Sequence, residues 1–156
     1  MEEAIIPPLL SEKDPKYNIN YATKDMPNLI IETKEGICTI TISRPKNRNA
    51  FNDDLAMELC EAFGKATRDP KAKCIVFTGD PAGNAFCAGA DLGGNGDLFK
   101  LKPIGENQSK RPLNAATYRD AGGLVGLAIT NCTKPVICAL NGAAVGVGLT
   151  VSSNDI

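Results

Sequence analysis

The sequence predicts an α/β fold assembled from β-β-α units, and three observations predict it. Residues 37–43 alternate with period two, setting Cys38, Ile40 and Ile42 on one face and Ile37, Thr39 and Thr41 on the other. Between Asn52 and Asp69 the apolar residues Leu55, Leu59, Ala62/Phe63 and Ala66 recur at helical spacing. Two short apolar runs, 74–77 and 136–140, have strand length and alternate along the chain with helical patterns.

Taken in order, residues 1–27 are polar and proline-containing, and are expected to form an extension ahead of a domain spanning 28–156. Strands at 29–33 and 37–43 join around Glu35-Gly36, and Arg44-Pro45 ends the second, so that RPKNRNAF reads as a loop. Asn52 or Asp53 caps the first helix, and Asp69-Pro70 stops it. The unbroken run Cys74-Ile75-Val76-Phe77 suits a strand buried on both faces. A glycine-rich turn follows through AGNAFCAGADL. Residues 93–112 mix Gly, Asn, Lys and Pro, as a mobile surface loop does. Residues 113–130 are expected to be helical, weakened by Gly122, Gly123 and Gly126, and 136–140 is a second short buried strand. Asn141-Gly142 turns the chain, and AAVGVGLTV enters a last helix.

Composition removes several classes of function. At 156 residues one domain is expected. Seventeen Lys+Arg against eighteen Asp+Glu supply no field that would draw nucleic acid or an anionic membrane, so neither partner is expected. With no histidine in the chain, a Ser-His-Asp triad, a Cys-His pair and any imidazole zinc site are excluded within it. None of the six cysteines forms a Cys-x-x-Cys pair, so no metal is expected, and reduced thiols of an intracellular protein are the simplest reading. The acidic start MEEAIIPPLL, broken by Pro7 and Pro8, lacks the basic and apolar regions of a secretory signal. No apolar run is long enough to span a bilayer.

Chemistry is best sought at two segments built alike, CIVFTGDPAGNAFCAGADL and VICALNGAAVGVGLTV. Each runs from an apolar strand through small residues toward a helix start. Small side chains admit a ligand to the backbone, and a first helical turn offers unpaired N–H groups. Two such corners facing each other would place two N–H donors on one oxygen, an oxyanion hole that requires no histidine. Taken singly, each corner is as readily explained by tight helix–sheet packing. A dinucleotide fingerprint at Gly146-Val147-Gly148 is the competing reading, and it is weak because Val151 stands where a third glycine or alanine belongs.

At these corners the sequence resembles the crotonase family, the enoyl-CoA hydratase/isomerase superfamily. The resemblance is carried by Arg44-Pro45 with Asn49-Ala50-Phe51, by Phe86-Cys87-Ala88-Gly89-Ala90-Asp91-Leu92, and by Lys134-Pro135-Val136 through Asn141 to Gly148. It implies a crotonase-like spiral of β-β-α units, C-terminally incomplete here, acting on an acyl-CoA thioester whose enolate is held between two backbone N–H groups. By motif position those donors fall on Ala90 and Val147, and Ala88, Gly89, Ala90, Asp91 and Leu92 would line the acyl-CoA site. Lys46 and Arg48 would reach the coenzyme A phosphates, and Asp91 would support a helix N-terminus. Cys87 reads as a small buried residue. No cofactor is implied beyond the coenzyme A of the substrate. Full-length relatives form homotrimers or hexamers, and the compartment expected is peroxisomal or cytoplasmic rather than mitochondrial.

The sequence also departs from the family pattern. The first of the two hydratase glutamates falls at Thr150, which cannot act as a general base near neutral pH. That favours the isomerase-type branch, in which one carboxylate moves a proton between carbons. The second glutamate would lie on an element beyond Ile156. Glu58, Glu61, Asp97, Glu106 and Asp120 match no catalytic glutamate and read as surface charge, although Asp97 and Asp120 flank the acyl-binding region. The alternative function is a truncated chain that binds acyl-CoA, or docks on relatives, without turnover.

Overall fold

A computed structural model describes residues 25–93 and 120–153. Most of the expected N-terminal extension and of the 93–112 loop lie outside those residues, as do Asp97, Glu106 and the first part of the 113–130 helix.

The elements follow the predicted order. Strands β1 (Leu29–Lys34) and β2 (Ile37–Ile42) form an antiparallel hairpin. Its two turn residues, Glu35 and Gly36, both have positive φ, as the right-handed strand twist demands of a two-residue loop. Helix α1 (Asp53–Arg68) carries the chain over to β3 (Cys74–Gly79), parallel to β2. Helix α2 (Ala121–Thr130) precedes β4 (Val136–Ala139), parallel to β3, and α3 (Val147–Ser152) follows. The sheet order is β1-β2-β3-β4, with β4 paired on one side only among the described residues.

Helix α1 forms where its pattern places it. The Asn52 side chain accepts the Leu55 N–H at 2.9 Å, Asp53 and Asp54 occupy the first turn, and Lys65 and Arg68 the last. Leu55, Ala56, Leu59, Ala62, Phe63 and Ala66 are buried, reproducing the stripe read from spacing. At its C-terminal end the Lys134 ammonium donates to the carbonyls of Ala66 (2.6 Å) and Asp69, groups that the helix cannot satisfy itself.

The core lies on one face of the sheet. Cys38, Ile40, Ile42, Ile75, Phe77 and Val136 meet α1 and α2 there, with Val125 and Ile129 from α2. Phe77 links two rings edge-to-face, Phe63 at 5.4 Å and Phe86 at 5.3 Å, tying helix to sheet to the first corner. Full burial of each such large side chain is worth about 1.5–3 kcal/mol.

Two expectations fail on the other face. β3 is buried only at Ile75, Phe77 and Gly79, while Cys74, Val76 and Thr78 are half-buried. β4 is likewise one-sided, with Val136 buried and Ile137 exposed. The described helices cover one face, so an apolar run of strand length did not require burial on both. The six cysteines are unbridged.

Candidate active site

The first corner leaves β3 at Gly79 and returns through 85–91, anchored by the fully buried Phe86. It is laced on both flanks. On one, the Cys87 N–H donates to Ala143 O (3.2 Å), and Cys87 O accepts the Val145 N–H (3.0 Å), a parallel bridge that joins the two corners. On the other, the Ala88 N–H donates to Arg48 O (3.1 Å), the Phe51 N–H to Gly89 O (2.8 Å) and the Asp91 N–H to Phe51 O (2.8 Å).

That second ladder orients Ala90. Because the Gly89 carbonyl and the Asp91 N–H both face Phe51, the peptide N–H of Ala90 points to the opposite side. It has no acceptor among the described residues, and Ala90 is exposed. Val147 opens α3, where an N–H has no partner within the helix, and it too has no acceptor among the described residues.

Glycine makes this proximity feasible. Gly89 has φ +93°, and a Cβ there would stand 3.1 Å from Val145 O. A Cβ on Gly148 would stand 2.8 Å from both the Cβ and the carbonyl oxygen of Cys87, closer than carbon atoms approach without displacement. The close packing of the corners and the freedom of the backbone to reach a ligand are thus the same property of the sequence, and neither reading excludes the other.

The helix whose N-terminus Asp91 is expected to support would begin beyond Gly93, outside the described residues. No helix begins through Gly93, where the chain is a turn. The carboxylate bridges the corner to the loop after β2: Oδ2 accepts from Arg44 Nη2 at 2.8 Å and Asn47 Nδ2 at 3.1 Å, and Oδ1 from the Gly93 N–H at 3.0 Å. The Gly93 N–H and then the Arg44 guanidinium hold this carboxyl below the usual carboxylate range. The other Arg44 amino group donates to Ala50 O.

Beneath the loop lies a polar residue whose role the sequence reading did not find. Asn49 is fully buried with φ +55°. Its Oδ1 accepts the Arg44 N–H (3.0 Å), and its Nδ2 donates to Asp80 O (3.0 Å) and Ala85 O (2.8 Å), so one amide ties three loop segments together. Asn49 belongs to a segment that carries the family resemblance, but an asparagine in a loop most often marks a turn and gives no sign of a buried amide.

The remaining predicted residues sit as follows. Ala88 is half-buried and Leu92 is 75% exposed. Lys46 and Arg48 are exposed around a short 3-10 turn, Pro45–Asn47. Cys87 is buried, and burial pushes its thiol pKa up, partly opposed by a backbone hydrogen bond at Gly89 and by the Arg44 charge, so it is a poor nucleophile. An open groove of about 560 Å³ between α2 and α3 brings Val147 and Thr150 together with Asp120, Gly122, Gly126 and Leu127. Asp120 caps α2 there, its Oδ1 accepting the Gly123 N–H at 2.6 Å, and Thr150 Oγ1 donates to Gly146 O at 3.2 Å. No cluster of His, Cys, Asp or Glu suited to a metal occurs among the described residues, and no described helix is long and apolar enough to cross a membrane.

A mixed sheet with one-sided helices, and two strand-to-backbone corners bridged to one another, define a partial crotonase fold. Solved structures agree: an enoyl-CoA hydratase/isomerase from Pseudoalteromonas atlantica superimposes with TM-score 0.63 at 27% identity, covering 83% of this chain and 45% of the other. Enoyl-CoA hydratase EchA8_6 from Mycobacterium marinum gives TM-score 0.60 at 29% identity, covering 82% and 55%.

The enoyl-CoA hydratase/isomerase family profile matches residues 32–154, and the chain belongs to that family. Enoyl-CoA hydratase ACTT3 of Alternaria alternata is 37% identical over 136 residues, which are 85% of this chain and 41% of that protein. The 1,2-epoxyphenylacetyl-CoA isomerase of Escherichia coli is 34% identical over 124 residues, covering 80% and 44%. The chain therefore spans less than half the length of these relatives.

Proposed function

We propose that this chain binds an acyl-CoA thioester, with coenzyme A as part of the substrate and no further cofactor, and holds the thioester carbonyl between the N–H groups of Ala90 and Val147. One observation carries the reading: two backbone donors on adjoining corners, neither with an acceptor among the described residues. Such donors stabilise an oxygen that gains negative charge more than they stabilise the neutral carbonyl, so they favour the enolate. Ala88 to Leu92 line the acyl end in this reading, and the exposed Lys46 and Arg48 meet coenzyme A phosphates.

Isomerase-type chemistry is favoured over hydration because Thr150, in the groove beside Val147, offers no carboxylate to activate water. The second reading is a chain that binds acyl-CoA without turnover, and the same Thr150 favours it. Asp120 is the described acid in that groove, and it is the proton acceptor to test. Calorimetric titration of the 156-residue chain with an acyl-CoA, beside assays of enoyl-CoA isomerisation and hydration, separates the readings. Heat with isomerisation abolished by Asp120→Asn supports an isomerase, heat without turnover supports the binding form, and no heat refutes both. In assembly and compartment we extend the family pattern: an oligomer of three or six subunits, in the peroxisome or cytoplasm.

A further inference from the structure

The carboxylate of Asp91 is one residue from Ala90, whose N–H is assigned above to an oxygen that becomes negative. A bare carboxylate at that position would oppose the charge that the donor is there to stabilise. The structure removes the conflict: Arg44 Nη2 lies 2.8 Å from Asp91 Oδ2, so the guanidinium offsets the carboxylate charge at contact distance. The same guanidinium donates to Ala50 O, next to the Phe51 whose ladder orients Ala90. Asn47 adds a neutral donor to the same oxygen at 3.1 Å.

From this geometry we infer that Arg44 and Asp91 form a positioning pair for the oxyanion donor Ala90, Asp91 tying the corner to the loop and Arg44 cancelling its charge. Neither side chain needs to touch the substrate. The inference rests on the proposed thioester site and adds an electrostatic rule to it: enolate stability follows the net charge of the pair. That charge is zero in the native chain, −1 in Arg44→Gln, +1 in Asp91→Asn and zero again in the double variant. A purely structural clamp makes the opposite forecast, since both single variants then loosen the corner in the same sense and the double is no better than the worse of them.

The experiment uses acetoacetyl-CoA, a thioester whose enolate absorbs in the near ultraviolet. On enolisation the C–H bond between the carbonyls breaks, the proton passes to solvent, and the electron pair spreads onto the oxygens, so no protein base is needed. The pH at which the bound thioester enolises is read for the full chain and the three variants. Among the described residues that face the pair, the titratable groups are those of the pair itself and Cys87, whose thiol stays protonated through the neutral range. The expected result is a midpoint about one pH unit higher for Arg44→Gln, a tenfold loss of enolate at fixed pH, a lower midpoint for Asp91→Asn, and a return toward the native value in the double variant. Should Arg44→Gln fail to fold, the downward shift of Asp91→Asn tests the rule alone. Single variants that both shift upward, or midpoints all equal, overturn the pair while leaving the thioester site standing. A native chain that does not bind acetoacetyl-CoA overturns both.

Discussion

Replacing Asn49 is the most informative single perturbation of this fold, because one buried amide holds three segments. In Asn49→Ala the Arg44 N–H and the Ala85 carbonyl lose the partners they have among the described residues, whereas Asp80 O keeps the Gly83 N–H at 3.0 Å. Two stranded groups at about 1–3 kcal/mol each, with about 0.5–1.5 kcal/mol for the third bond, put the loss at roughly 2.5–7.5 kcal/mol. Alanine also tolerates φ +55° less well than asparagine, which adds in the same direction. Asn49→Asp is the sharper variant. Its Oδ1 still accepts from Arg44, but its other oxygen would face the carbonyls of Asp80 and Ala85 at 3.0 and 2.8 Å, where only a protonated carboxyl is tolerated. The folded pKa is then raised above the unfolded value near 3.9, so the folded state holds the proton longer. Relative to the native chain, the Asp variant loses stability as pH rises from about 4 toward 7. Urea unfolding followed by circular dichroism at several pH values measures both effects. A loss under about 1 kcal/mol for Asn49→Ala, or an Asp variant whose deficit is the same at pH 4.5 and 7, would refute this account.

Three further outcomes follow from the same structure. Gly148→Ala drives a methyl into Cys87, and is expected to cost about 1–3 kcal/mol by urea unfolding and to abolish acyl-CoA binding by separating the corners; a variant that binds normally would contradict the packing. Lys134→Met strands the Ala66 carbonyl at the end of α1 and removes one of two bonds to Asp69 O, which keeps the Ala72 N–H at 3.2 Å, and should lower stability by about 1.5–4.5 kcal/mol, seen also as faster amide exchange in its last turn. The depressed Asp91 carboxyl contributes stability that is present above its unfolded pKa near 3.9 and is lost as pH falls through its lower folded value; Asp91→Asn should flatten that acid limb in unfolding curves taken between pH 5 and 2.

Much of the fold was legible because periodicity reports burial. The stripe of α1 and the inward face of β2 follow directly from spacing, and Asn52 was among the two caps expected. The inference failed where a run of apolar residues was taken to mean burial on both faces: Ile137 and Val76 show that β-branched residues also suit a strand half open to solvent. At the site, the small residues of the two corners were readable because glycine has few other reasons to cluster after a strand. Arg44, Asp91 and Asn49 were not readable as a unit. Their contacts span 47 and 36 positions along the chain, and no local pattern encodes a pairing made only after the sheet has formed.

The donors proposed for this site belong to peptide groups, and a peptide N–H survives every substitution except proline. Ala90 and Val147 should therefore accept many side chains in a saturation scan, as though they were unimportant. Intolerance would instead concentrate at Gly148, where a single added carbon collides with the opposite corner, and at Gly89, where the positive φ and a tight contact with Val145 O disfavour any side chain. In such a map the reacting positions would look permissive, and their silent neighbours would mark the site.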